Sequence, residues 1–247
     1  MAELKPLSVP QVSRAHFERN FIREAVCELR FPILFSLAEA RPPAPLVQAL
    51  RKEYPNYQQM SDIGLNAGSV AQSYAHSFKS KKGDWAIMLR SSAITLSSYK
   101  YDSFDHFEER IASLAQAAKA VIDSEFFTRV GLRYVNCLPY SVDEISEWVN
   151  PLLVGALGSG VFGDVFEHHM RVTGTTRDDA TYTFMHGIGT NPQTAQLEYV
   201  LDLDFGQDDI PIDETAATAR RLHDHEYSMF TWALGERAKQ HLGPSTL

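Results

Sequence analysis

The stretch Val130-Gly131-Leu132-Arg133-Tyr134-Val135-Asn136-Cys137-Leu138 constrains the fold more than any other. It reads as a strand near the middle of the 247 residues and follows the best amphipathic helix of the chain. In that helix Phe104, Phe107, Ile111, Leu114, Ala118, Val121 and Ile122 recur at steps of three and four. Glu108, Glu109, Arg110 and Lys119 take the opposite face, and Asp102-Ser103 supplies an N-cap. Behind the strand, the order of elements that preceded it comes round again.

In the first half, residues 24–31 alternate, with Ala25, Cys27, Leu29 and Phe31 facing inward. Arg41-Pro42-Pro43 ends that segment. Leu46, Ala49, Leu50 and Tyr54 then mark a helix with Pro45 in its first turn. Residues 57–68 are polar and ambiguous, and residues 70–78 fit a strand. Lys81-Lys82-Gly83-Asp84 is a turn between that segment and two strands at 85–90 and 93–99. In the second half the central strand leads to a capping box, Ser141 with Glu144, and a helix carrying Ile145, Trp148, Val149 and Leu152. A turn-rich connector at 155–163, strands at 165–172, 180–187 and 195–205, and a long helix at 213–239 complete the chain.

The expected fold class is therefore α+β: tandem duplicated β-α-β-β-β-α units sharing one antiparallel sheet, with two long helices packed on one face. The halves are 15–128 and 129–247. The apolar junction Glu125-Phe126-Phe127-Thr128 is unlike a flexible linker, so a single two-lobed domain is expected. The alternation assigns an open sheet face to Glu28, Arg30, Arg90, Thr95, Ser97, Arg133, Thr181, Thr183, Glu198, Asp202 and Asp204.

Composition narrows the function classes. The chain is 44% hydrophobic and 22% charged, ordinary for a globular protein, with a net charge of −8. That balance disfavours nucleic acid, the one basic cluster being Lys79, Lys81 and Lys82 in a loop, and the open face lacks base-stacking aromatics. The N-terminal residues 1–17 hold no apolar leader core. The longest apolar run, 151–162, is broken by Gly155, Gly158 and Gly160 and is too short to span a bilayer. Cys27 and Cys137, without a CxxC partner, read as reduced thiols. These features predict a soluble cytoplasmic protein without membrane association.

No catalytic constellation emerges. His168 and His169 are adjacent in a strand and point to opposite faces, so they cannot chelate one ion together. His223 and Glu226 share a helix face while His225 points away, short of the three convergent ligands a metal needs. Gly158-Ser159-Gly160-Val161-Phe162-Gly163 follows a helix rather than a strand, which is the wrong context for a dinucleotide loop. No metal, cofactor or catalytic residue is expected. The residue to watch is Arg133 on the central strand, with Glu28 and Arg30 as expected neighbours. Two roles fit it: an ion pair pinning the two halves together, or an anion or carboxylate anchor for a ligand or partner.

Several stretches resemble a bacterial protein family of about this length that is scattered sporadically across species. They are Glu24-Ala25-Val26-Cys27-Glu28-Leu29-Arg30-Phe31, Tyr54-Pro55, the strand pair within 85–96, Tyr99 with Tyr101 and Phe107, Arg129-Val130-Gly131-Leu132-Arg133-Tyr134-Val135-Asn136, and Leu222-His223 with Phe230. Gly131-Leu132-Arg133-Tyr134-Val135-Asn136 is the most specific piece, and the similarity runs nearly the full length. The resemblance implies relatedness and a bacterial setting, and carries over no catalytic residue. Its sporadic occurrence suggests mobile gene cargo, such as an accessory of a defence or toxin-neutralising system.

Two functions compete. The first is a non-enzymatic module that holds another protein on its open face or edges. The second is a small-molecule binding protein or enzyme with a helix-grip-like cavity. A homodimer is left open by the sequence.

Overall fold

The computed structural model of the protein describes residues 5–15, 17–66 and 69–243. The fold is α+β, with one nine-stranded antiparallel sheet and, among the described residues, six α-helices. The strands are β1 (Ile22–Arg30), β2 (Asn56–Asn66), β3 (Ser69–Lys79), β4 (Trp85–Arg90), β5 (Ala93–Ser98), β6 (Phe126–Pro139), β7 (His168–Thr175), β8 (Thr181–Thr190) and β9 (Leu197–Pro211). The helices are α1 (Ala44–Leu50), α2 (Phe104–Lys119), α3 (Ile145–Trp148), α4 (Pro151–Gly158), α5 (Thr215–Ala233) and α6 (Glu236–Leu242). The strand order is β2-β3-β4-β5-β1-β6-β9-β8-β7. No helix among the described residues is long and apolar enough to cross a membrane.

The chain divides into two compact units, 24–132 with 206–221, and 1–23 with 133–205 and 222–247. In the first, β1 alternates as its sequence requires: Ala25, Cys27 and Leu29 are buried while Val26 and Glu28 are half-exposed. β5 pairs with β1 and with β4, setting Leu96 opposite both Cys27 and Ile87. Helix α2 begins at Ser103, whose side chain accepts from the His106 backbone N–H. Its apolar stripe, Phe104, Phe107, Ile111, Leu114 and Ala118, is buried, and Phe107 packs against the Trp85 ring. Arg110 lies over the Trp85 ring and donates to Glu53 and the Tyr54 hydroxyl, which fixes α2 to the chain leaving α1.

The polar segment after Pro55 is a strand. β2 pairs with β3 along its whole length, from Asn56 opposite Lys79 to Asn66 opposite Ser69. Only His76 to Lys79 of β3 also pair with β4. The first half thus carries four strands after α1 rather than the expected three.

In the second unit, Tyr199, Leu201, Leu203 and Phe205 of β9 form a fully buried row with Leu222 and Met229 of α5 in the same core. Four sequence expectations need correction here. The Ser141–Glu144 capping box does not form: Glu144 caps α3 without a side-chain bond, and only its backbone N–H reaches the Ser141 carbonyl. The helix behind it stops after one turn, because Val149 is extended and bridges Leu234. Asn150 and Pro151 then start α4 afresh, the Asn150 side chain accepting from Leu152 N–H. Leu152, read as inward, is 81% exposed. The last helix is likewise two, since the backbone at Gly235 lies against the Glu147 carbonyl and a side chain there would collide with it. β7 begins at His168 and not at Val165.

Candidate functional site

Glu28, Arg30, Arg133, Glu198 and Asp202 of the open face are organised in local ion pairs. In the unit that contains 133–205, Arg133 donates from Nε and Nη2 to the two carboxylate oxygens of Asp202, both at 2.7 Å. This is the bidentate geometry that a planar guanidinium favours. The carboxylate expected beside Arg133 is present, and it is Asp202 of β9 rather than Glu28. Alongside, Glu198 is gripped by Arg23 and by the Asn191 side-chain amide at 2.9 Å. Glu198 and Asp202 are both buried although their strand face is polar, and each is paired with an arginine. Cys137 is in phase with Arg133 on β6. Burial above all, with Glu198 adding to it and Arg23 opposing it, pushes its thiol up to about 12, which leaves no nucleophilic thiolate at neutral pH. Cys27 and Cys137 are not joined by a disulfide.

In the other unit, Glu28 and Arg30 do come together: Arg30 Nε donates to Glu28 at 2.5 Å. Arg129 approaches the same carboxylate at 3.9 Å. The Arg129 guanidinium rests against Gly131 and Gly206, where any Cβ would collide with it. The glycine of the Gly131-Leu132-Arg133-Tyr134-Val135-Asn136 stretch is thereby explained, since it leaves room for the arginine two residues before it.

The histidines separate into several environments. His169 is exposed, with Glu167 at 3.5 Å. His223 shares a hydrogen bond with the Tyr134 hydroxyl at 3.2 Å, and His225 meets Asp178 at 2.9 Å. His186, which the sequence did not single out, is 2% exposed between Phe184 and Tyr199. Its Nδ1 shares a hydrogen bond with the Tyr199 hydroxyl at 2.7 Å. Burial, and after it the neighbouring His168, lowers its pKa to about 4. Among the described residues, no group of three or more His, Cys, Asp and Glu side chains converges as a metal site.

Two surface features remain. A cleft of about 300 Å³ lies between α1 and the β2–β3 hairpin, lined by Pro42, Val47, Arg51, Tyr54, Pro55, Tyr57 and Phe78. Both tyrosine hydroxyls are already engaged: Tyr54 accepts from Arg110, and Tyr57 shares a bond with His76 at 3.0 Å. No acid–base pair or activated nucleophile faces it.

The second feature is β7, which ends the sheet. It pairs on its inner side with β8, from His168 opposite Ile188 to Thr175 opposite Thr181. Residues 169–173 are exposed on both faces, and the chain leading into the strand is apolar and exposed at Val161, Phe162 and Phe166. The Leu7 N–H donates to the Thr175 carbonyl at 2.8 Å, so Thr175 directs its backbone away from β8. By the two-residue period of a strand, the backbone groups of His169, Arg171 and Thr173 point the same way. Sequence reading passed over this edge because a strand exposed on both sides has no apolar alternation to announce it. The apolar Val161, Phe162 and Phe166 among glycines just before it were the available signal.

No protein-family model and no curated protein matches the chain.

Proposed function

We propose that this protein is a non-enzymatic binding module that takes up an extended segment of a partner protein as a further strand beside β7. The observation that carries the reading is the outer edge of β7, whose row of backbone donors and acceptors ends the sheet. Such edges are either blunted or used. This one carries Met170 and Val172 on one face, both exposed, and His169 and Arg171 on the other. The Leu7 bond to Thr175 is the first rung of such an addition, made by the chain's own N-terminal arm. The occupant is read from the strand's chemistry: a segment alternating apolar residues, to lie beside Met170 and Val172, with acidic ones, to lie beside Arg171 and His169. The ion pairs around Arg133 and Glu28 are self-neutralising, which favours a supporting role for the open face.

The test is fluorescence anisotropy with synthetic peptides alternating apolar–acidic, apolar–basic, or the same composition scrambled. The apolar–acidic peptide should bind best. Arg171→Pro removes one outward N–H while leaving the β8 ladder intact, which edge strands tolerate. It should abolish binding with a melting temperature near wild type. Arg171→Gln should erase only the preference for acidic over basic. Equal binding of all peptides, or unchanged binding by Arg171→Pro, would reject the reading.

The same reading includes an ancestral duplication, with the halves forming one two-lobed domain. Its support is the strand order, in which β5-β4-β3 follow outward from β1 as β9-β8-β7 do from β6. On this reading β2 is an addition to the first half, and α2 and α5 are equivalent helices.

A further inference from the structure

We infer that His168, Met170 and His186 form a binding site for a soft monovalent metal ion, of which Cu(I) is the biological example. The register of β7 with β8 places His186 opposite Met170 and His168 opposite Ile188. Since side chains alternate, all four lie on one face, and His168 is the diagonal neighbour of His186. Two nitrogens there are buried without a hydrogen-bond partner in the protein: Nδ1 of His168 and Nε2 of His186. Buried polar atoms of this kind call for a specific explanation.

The far side of the His186 ring is already arranged as a metal ligand's would be. With the proton on Nδ1, His186 donates to the Tyr199 hydroxyl, and the lone pair on Nε2 is left for an ion. Tyr199 is fully buried, so the ring is held by a fixed partner. The spacing fits a low coordination number. A metal–nitrogen bond is about 2 Å, so two imidazoles in near-linear arrangement on one ion put their ring centres roughly 6 Å apart, and a tetrahedral angle draws them closer. The observed centroids are 6.3 Å apart. Near-linear bis-imidazole binding with a thioether beside it suits Cu(I) and fails zinc, which wants four ligands. The adjacent pair His168-His169 was the wrong one to consider, because the second imidazole comes from the neighbouring strand.

The experiment is an anaerobic titration of the tag-free chain with Cu(I) against a chromophoric chelator, with X-ray absorption on the loaded protein. One equivalent should bind, with two nitrogens and one sulfur around copper. Met170→Leu keeps the shape of a half-exposed side chain and should weaken binding about tenfold, the sulfur ligand being lost. His168→Gln should remove stoichiometric binding, and its thermal melt checks that the fold is intact. If both variants bind Cu(I) as wild type does, or if the absorption spectrum shows no sulfur, the site is refuted. Equally tight one-to-one binding of Zn(II) would overturn the assignment to a soft ion.

Discussion

Replacing Arg133 by alanine tests what the bidentate pair with Asp202 contributes. The Asp202 side chain is 10% exposed and would lose two bonds of 2.7 Å, while the Arg133 side chain is 42% exposed. Breaking a fully buried pair costs about 3–5 kcal/mol because an uncompensated charge is left behind. Water reaches the half-exposed side of this pair and takes up part of the loss, so about 2 kcal/mol is expected. In a chain of this size that lowers the melting temperature by roughly 4–8 °C. Arg133→Lys keeps the charge without the fork and should lose about 1 kcal/mol. Urea denaturation followed by tryptophan fluorescence measures both, and a double-mutant cycle with Asp202→Asn should return a coupling of about 1 kcal/mol. Peptide binding at β7 should be unaffected. If Arg133→Ala stays within about 0.5 kcal/mol of wild type and the cycle shows no coupling, the pair is an exposed ornament and the reasoning fails.

Other outcomes follow from the geometry. Gly235→Ala drives a Cβ into the Glu147 backbone carbonyl and should cost about 3 kcal/mol, whereas Gly131→Ala displaces only the movable guanidinium of Arg129 and should cost about 1 kcal/mol; urea midpoints rank the two. His186 is protonated at about 6.5 when unfolded but only at about 4 when folded, so the unfolded state binds more protons in that window. Its contribution is complete above pH 6.5 and is lost as pH falls toward 4, by on the order of 3 kcal/mol; His186→Phe should flatten the slope of stability against pH over that range. Fragments 1–128 and 129–247 should not melt cooperatively when made separately, because the first unit also needs 206–221, which supplies the buried Ile210 and Ile212; calorimetry of each fragment decides it.

What could be read from the sequence follows a physical division. β4 runs over residues 85–90 as expected, and α2 has its N-cap at Ser103, because both bury one side and the burial imprints a period. β2 and β7 were missed or misplaced because Asn-Tyr-Gln-Gln and His-His-Met-Arg carry no such period. The Ser141–Glu144 box does not cap because α3 starts one turn later, with Glu144 at the N-cap position, and Asn150-Pro151 starts a new helix nine residues after Ser141. For the site, strand phase put Arg133, Glu198 and Asp202 on one face, yet the partner of Arg133 depends on which strand lies beside β6. That neighbour is β9, and nothing local in residues 130–138 encodes it. The approach of His186 to His168 depends in the same way on the β7–β8 register.

The unit built from 24–132 is closed by 206–221, and this has a consequence for how the protein is made. A ribosome delivers the chain from the N-terminus, so β1, β5 and α2 emerge well before the segment that completes their core. All of residues 133–205 must be synthesised in between, which at about 5–20 residues per second takes roughly four to fifteen seconds. During that interval Phe127 and Val130, both fully buried at the end, wait without Ile210 and Ile212. The nascent chain therefore offers sticky apolar surface to holding chaperones for seconds, and the yield of folded protein should depend on them more than on the final stability.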